Sequence, residues 1–154
     1  MREMIQMVVV LTVLSAVSGG LLAGIRNGTQ EQIDNQKLEF VQGPAIREIL
    51  ADASNDPIVD RFEISENGLK RRFFVGSYDG KANSVAFETF GKGYGGDVGV
   101  MIGINTEEDK ILGVRVTTHS ETPGVGARAE TELDFVSQFK NQELSYDYKV
   151  RGDG

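Results

Sequence analysis

Hydrophobic and polar residues change their pattern twice along the chain. From Ile5 to Ile25 no residue is charged. A helix rising about 1.5 Å per residue covers about 30 Å over such a run, the thickness of a bilayer hydrocarbon core. The run reads as one membrane-spanning helix. Ala16-Val17-Ser18 also matches the small residues of a signal-peptide cleavage point. Against that reading, Leu21, Leu22 and Ile25 prolong the apolar stretch and Arg2 is offset by Glu3, which favours an anchor. Gly19, Gly20 and Gly24 offer a face that a second helix can approach closely, although glycine is common in membrane helices generally. Arg2 and the amino terminus on one side balance Arg26 and Lys37 on the other, so charge leaves the orientation open.

Past the apolar run the pattern becomes polar and helical. Thr29 with Gln32 forms a capping-box pair that predicts a helix through about Phe40. Gly43-Pro44 predicts its end and the start of a second helix through about Leu50. The pattern then alternates with a period of two. Strands are expected from Ile58 to Ile64, Leu69 to Gly76 and Asn83 to Phe90, with tight turns at Glu66-Asn67-Gly68 and Asp79-Gly80. Val98, Val100, Ile102 and Ile104 alternate with Gly99, Met101 and Gly103, and Leu112, Val114 and Val116 alternate again after a turn from Asn105 to Lys110. A last amphipathic helix is expected over Thr131 to Phe139, with Leu133, Val136 and Phe139 facing the sheet and Phe135 at the margin of that face. The order predicts an α+β chain: a transmembrane anchor over 1–26, a helical stalk over 27–55, and one domain over 56–154 with a mostly antiparallel sheet flanked by helices.

Composition removes several functions. The 154 residues carry a net charge of -7 with no basic stripe, which argues against nucleic acid as a partner. There is no cysteine, so a disulfide framework, a thiolate metal site, an iron–sulfur cluster and a cysteine nucleophile are all excluded. With a single histidine, His119, a multi-histidine metal centre is excluded too. The run Glu107-Glu108-Asp109 lacks liganding spacing and reads as the solvated tip of a hairpin. No residue is assigned a bond-making or metal-binding role.

Two segments remain as candidates for chemistry. Gly91-Lys92-Gly93-Tyr94-Gly95-Gly96 spells a dinucleotide fingerprint, but a strand follows where the pyrophosphate site needs a helix. The segment is either a plain loop or one whose bare backbone lies close to a flat ligand. The second runs from His119 through Ser120, Glu121, Thr122, Pro123, Gly124 and Val125 to Gly126. Pro123-Gly124 suits the centre of a type II turn. That turn is either a rigid connection or a device that presents Glu121 and Thr122 to a ligand, while Gly124 and Gly126 let backbone N–H groups reach it.

The segment from His119 to Gly126 resembles the H-x-E-T-P-G-x-G motif of FMN-binding subunits of ion-pumping electron-transfer complexes. The resemblance extends over essentially the whole chain: membrane helix, sheet, Gly91-Lys92-Gly93-Tyr94, the alternating strand Val98 to Ile104, then the motif. It is nearer the G subunit of Rnf-type complexes, which link ferredoxin and NAD, than the C subunit of sodium-pumping NADH:quinone reductases, because fewer residues separate the anchor from His119. The resemblance implies FMN as cofactor in the domain over 56–154, with Glu121, Thr122, Pro123, Gly124, Val125, Gly93 and Tyr94 around it. It implies a membrane-anchored electron-relay subunit of a redox-driven ion translocase rather than a free-standing enzyme. Its partners would be other subunits of that complex and the lipid bilayer, and its place the prokaryotic cytoplasmic (inner) membrane, single-pass, with the soluble domain on the extracytoplasmic side. In the family, FMN is joined through its phosphate to a threonine of an S-G-A-T type motif near the C-terminus. No such motif occurs in these 154 residues. The chain is therefore expected to continue past Gly154, and no other threonine inherits the attachment. The alternative is a cofactor-free membrane-anchored binding or assembly module.

Overall fold

The computed structural model describes residues 2–66, 68–124 and 126–149. Asn67 and Val125, both in segments singled out above, lie outside the described residues, as does the stretch 150–154. The chain divides into two compact units, Met1–Leu38 and Glu39–Gly154.

The first unit is essentially α1 (Arg2–Lys37), which buries no residue. Leu11, Leu14, Leu21 and Leu22 are 64%, 65%, 64% and 70% exposed, so the unit does not bury its own apolar surface. The helix is long and apolar enough to cross a bilayer. Thr12 donates its hydroxyl to the Val8 carbonyl at 2.8 Å, so even this polar group is satisfied within the helix. The separate polar helix expected from Thr29 does not exist, because α1 runs through it. Nothing between Ile25 and Thr29 stops a helix; Gly28 costs only about 1 kcal/mol against alanine. Thr29 donates its hydroxyl back to the Ile25 carbonyl at 2.9 Å instead of capping a new N-terminus.

Gly43-Pro44 does not end the helical path either. A π-helical turn, Leu38–Gln42, leads directly into α2 (Gly43–Ile49), with Pro44 in its first turn. A proline there lacks an N–H that would be unpaired anyway, and the wider preceding turn absorbs the change of register. α2 ends where expected, with the Leu50 N–H on the Ile46 carbonyl at 2.8 Å. The stalk expected over 27–55 therefore splits: Gly43, Ala45, Ile46 and Ile49 of α2 are buried in the second unit.

That unit is built on a five-stranded antiparallel meander: β1 (Arg61–Glu66), β2 (Leu69–Tyr78), β3 (Lys81–Lys92), β4 (Asp97–Asn105) and β5 (Lys110–Thr118), ordered as in the sequence. Asp79 and Gly80 adopt φ of 53° and 78° and join β2 to β3 across the pair Tyr78 and Lys81, as a two-residue hairpin requires. Ile58 to Asp60 fall outside β1. Asp56 accepts the Ile58 N–H on its side chain at 3.0 Å and the Val59 and Asp60 N–H groups on its carbonyl, a turn that delays the strand to Arg61. Glu107, Glu108 and Asp109 lie exposed at the β4–β5 tip, with Lys81 and Lys110 as ionic neighbours.

The two faces of the sheet differ. Phe74, Ala86 and Met101, at most 1% exposed, lie on the face that meets α2, where Ile49 packs over Gly103 and Gly113 and Leu50 packs over Gly76. Glycines remove the side-chain layer there and let the helix lie close to the strands. On the other face, the register aligns Phe62, Phe73, Phe87, Ile102 and Val114 across all five strands. Phe62 stacks on Phe73 with ring centroids 5.2 Å apart, and Phe73 meets Phe87 at 5.6 Å. These side chains are half-buried or exposed. Polar ties join the π-helical turn to the sheet: Gln42 donates its amide to Glu88 at 2.7 Å, and Thr117 donates its hydroxyl to the same carboxylate.

The last helix is shorter than expected. α3 (Arg128–Thr131) and α4 (Leu133–Ser137) are separated by Glu132 in an extended conformation, φ −91° and ψ 96°. Val136 is buried and Phe139 half-buried, but Leu133 and Phe135 are 57% and 47% exposed, so the expected apolar face is packed only in part. Phe135 and Phe139 instead contact each other edge-on at 5.8 Å, and Phe139 also meets Tyr148. Residues 141–144 then run beside the start of β5, with hydrogen bonds between Ile111 and both Asn141 and Gln142 that cover its edge.

Tyr78 gives this unit a pH response. Burial raises its phenol above the usual 10.0, and the Asp52 carboxylate adds to the effect. The folded state thus holds the proton more tightly than the unfolded chain. The resulting stability is fully present below about pH 10 and is lost as pH rises through the folded-state value. Denaturation curves at successive pH values are expected to show a shallower alkaline loss for Tyr78→Phe than for the parent.

Candidate functional site

The two segments singled out from the sequence come together at one end of the sheet. Lys92 of β3 pairs with Asp97 of β4, leaving Gly93 to Gly96 as the connecting loop, closed by the Gly93 N–H on the Gly96 carbonyl at 2.8 Å. Thr118, the last residue of β5, pairs with Gly99 of β4, so the chain from His119 onward leaves the sheet beside that loop. A meander forces this neighbourhood, because a strand's start and its partner's end share one edge.

Glu121 joins them. Its Oε1 accepts the Gly95 N–H at 2.9 Å. A Cβ at Gly93 would lie 2.2 Å from Glu121 Oε1, and one at Gly126 would lie 2.7 Å from Oε2. A Cβ at Gly95 would lie 2.4 Å from the Ser120 carbonyl oxygen. Three glycines therefore leave the space that the Glu121 carboxylate and the Ser120 backbone occupy. Gly124 has φ of 77°, as the third residue of a type II turn after Pro123 requires. The Thr122 carbonyl then accepts the Gly126 N–H at 3.0 Å.

Glu121 is half-buried, whereas Thr122, Pro123, Gly124 and Gly93 are exposed around it. Tyr94, at the tip of the loop, is fully exposed, and none of the described residues covers its ring. His119 lies beneath the turn, its side chain 17% exposed, with Nε2 2.8 Å from Glu130 Oε2 and Nδ1 accepting the Glu121 N–H at 3.2 Å. Arg128, one turn on, is bound to Glu132 at 2.8 Å; that hydrogen bond, then the carboxylate's charge, raises its pKa. A shallow concavity of about 360 Å³ lies beside Gly126, lined by Arg128, Ala129, Glu132 and Phe135. A second cleft, of about 440 Å³, lies between α2, β5 and α4 and shares no residue with either loop. Its wall is tied by the bidentate Arg115–Glu48 pair. The two segments singled out from the sequence lie elsewhere. Among the described residues no cluster of three or more His, Asp or Glu is arranged to hold a metal ion.

A family model described as an FMN-binding domain matches residues 93–152, which begin at the glycine loop. The chain is 32% identical over 140 residues to the G subunit of an ion-translocating oxidoreductase complex from Methanosarcina acetivorans, covering 90% of this chain and 73% of the relative. It is 31% identical over 152 residues to the G subunit of the same kind of complex from Cereibacter sphaeroides, covering 94% and 68%. The chain belongs to this family of G subunits. A third member, from Vibrio cholerae, is 28% identical over 156 residues.

As a member of that family with an FMN-binding domain and an apolar N-terminal helix long enough to cross a bilayer, the protein is a membrane flavoprotein subunit. Of the site residues expected from the sequence, the fold gathers Gly93, Tyr94, Glu121, Thr122, Pro123 and Gly124 at one end of the sheet. Val125 lies outside the described residues. Sequence reasoning missed Gly95 as the donor to Glu121, Ser120 as the backbone wall against it, and Glu130 as the partner of His119. Glu130 carries no local signal, since it is one acidic residue among several in that stretch.

Proposed function

We propose that the converging loops hold the isoalloxazine of FMN and that the domain relays electrons within a membrane ion-translocating oxidoreductase complex linking ferredoxin and NAD. The observation that carries this reading is the Gly95–Glu121 hydrogen bond, which ties the glycine loop to the motif and leaves an exposed rim of backbone, hydroxyl and aromatic groups around it. A flat ring needs close approach to bare backbone, a few directional hydrogen bonds and an apolar contact. The glycines permit the approach. Thr122 and the turn at Pro123-Gly124 offer hydrogen bonds, while Tyr94 and, by its place in the motif, Val125 offer contact. Glu121 fixes the two loops relative to each other and places a negative charge where it would oppose electron gain by a nearby ring.

When bound, flavin supplies reversible one-electron chemistry. The protein's share is to place it, exclude water and set its potential. Covalent attachment through phosphate belongs to an S-G-A-T type motif, which these 154 residues do not contain. The pocket derived from the two loops accounts for holding the ring, not for the linkage. The soluble domain is assigned to the extracytoplasmic side of a prokaryotic inner membrane, with the N-terminus in the cytoplasm and neighbouring subunits of the complex around the helix.

The test is direct. The chain purified in detergent from a flavin-replete host is expected to carry flavin by absorbance. Glu121→Ala combined with Thr122→Ala should reduce the flavin-to-protein ratio by at least about tenfold, the equivalent of about 1.4 kcal/mol. Unchanged loading in that variant would remove the two loops as the site. Absence of flavin from the parent as well would favour a cofactor-free assembly module.

A further inference from the structure

We infer that His119 is a positioning residue, a neutral imidazole locked in its Nε2–H tautomer that holds Glu121 against the glycine loop from below. The inference rests on the flavin reading only for its consequence; the arrangement itself is a matter of hydrogen bonds within the protein.

A backbone N–H can only donate, so the 3.2 Å contact from the Glu121 N–H to His119 Nδ1 requires a lone pair on Nδ1. The ring proton of a neutral imidazole then sits on Nε2, which is 2.8 Å from the Glu130 carboxylate, an acceptor. One tautomer satisfies both contacts. The Nδ1–H tautomer would set two donors against each other at Glu121 and leave Nε2 with only a lone pair facing the Glu130 carboxylate. A doubly protonated ring would keep Glu130 and lose Glu121. The ring thus connects α3, which carries Glu130, to the first turn after β5, and its side chain is largely enclosed.

The consequence reaches the loop through Glu121, which is held at both ends. His119 fixes its main chain, and its carboxylate is fixed by the Gly95 N–H and fitted between Gly93 and Gly126. Releasing the main-chain end frees the carboxylate to leave the glycine loop. Without His119 the loops remain, but their separation is no longer set. Glu130 acts one step further out: its carboxylate selects the tautomer, as carboxylates do for histidines that must present a defined nitrogen.

With one histidine in the chain, the test has an unambiguous spectrum. In the full chain in detergent, nitrogen NMR of the histidine ring at neutral to mildly alkaline pH is expected to show the neutral Nε2–H tautomer. A predominant Nδ1–H form, or a charged ring under those conditions, would overturn the inference. His119→Phe keeps the size of the ring without its hydrogen bonds, and should raise the exchange rate of the Gly95 amide by about tenfold while amides of β3 and β4 stay protected. His119→Asn restores an acceptor at the Nδ1 position and should recover most of that protection. Equal loss in both variants, or no loss in either, would also overturn it. Flavin loading and reduction potential, measured on the same samples, carry the consequence: His119→Phe should shift the potential and His119→Asn should return it toward the parent value. If the parent holds no flavin, the flavin reading fails, and the ring tautomer and the Gly95 exchange still decide the role of His119.

Discussion

Alanine in place of Gly95 is expected to strip the domain of flavin while leaving its sheet folded. The added methyl would sit 2.4 Å from the Ser120 carbonyl oxygen and 3.0 Å from the Ser120 carbonyl carbon, and both are backbone atoms that no rotamer change can move. An ordinary contact needs about 3.5 Å, so the loop and the motif must separate by about 1 Å. The Gly95 N–H bond to Glu121, now 2.9 Å, cannot survive that movement with useful geometry. The flavin-to-protein ratio should fall by more than about tenfold, corresponding to at least about 1.4 kcal/mol. Gly91→Ala is the matched control, since a methyl there meets nothing within 4 Å. Comparable flavin content in the Gly95 and Gly91 variants, by absorbance after purification, would show that the space between the loops is not where the cofactor is held.

A large effect on stability is expected at Gly103→Ala. A methyl there would lie 2.1 Å from Ile49 Cγ2, and Ile49, 8% exposed, is confined between α2 and strands β4 and β5. Overpacking of a filled core costs about 1–3 kcal/mol, enough to lower the melting temperature of a domain of this size by several degrees. Ile49→Ala alone should also destabilise, by leaving a cavity. The two together should be less harmful than the sum of the singles, since the new methyl occupies part of the vacated space. A coupling of more than about 0.5 kcal/mol in a double-mutant cycle, from denaturation of the chain in detergent, is the expected signature. Gly113→Ala, whose methyl would make an ordinary 3.4 Å contact with Ile49 Cγ1, should cost far less. Strict additivity between positions 49 and 103 would mean that α2 does not lie against β4 as described.

The elements legible in the sequence were those with a local cause. Asp79-Gly80 fixed one hairpin and the alternation of Val98 to Ile104 fixed β4, and both are found where expected. What failed depended on distant context. Thr29 is a sound N-cap in isolation, but a preceding helix already offered its hydroxyl the Ile25 carbonyl. The Thr131 to Phe139 periodicity suits a helix, yet a single break at Glu132 divides it and leaves Val136 buried while Leu133 and Phe135 are exposed. The choice of face was also hidden. Val98, Val100, Ile102 and Ile104 look like the core row, whereas the most closely packed face carries Gly99, Met101 and Gly103, because small residues admit α2. For the site, each loop was legible by itself. Their contact was not, since no spacing rule relates Gly95 to Glu121; it follows from the register of β3, β4 and β5.

The meander has a consequence for the order in which the protein is made. Each strand pairs with its neighbours in sequence, so the sheet can grow one hairpin at a time as the chain emerges, with short loops to close and no wait for a distant partner. The membrane helix is synthesised before the sheet, and the glycine loop is present once β4 has joined β3. The loop acquires its opposing wall only after β5 has been laid down and His119 to Gly126 has followed it. If FMN is held between both walls, as proposed, a half-made domain cannot capture it, and loading would report that translation has passed the motif.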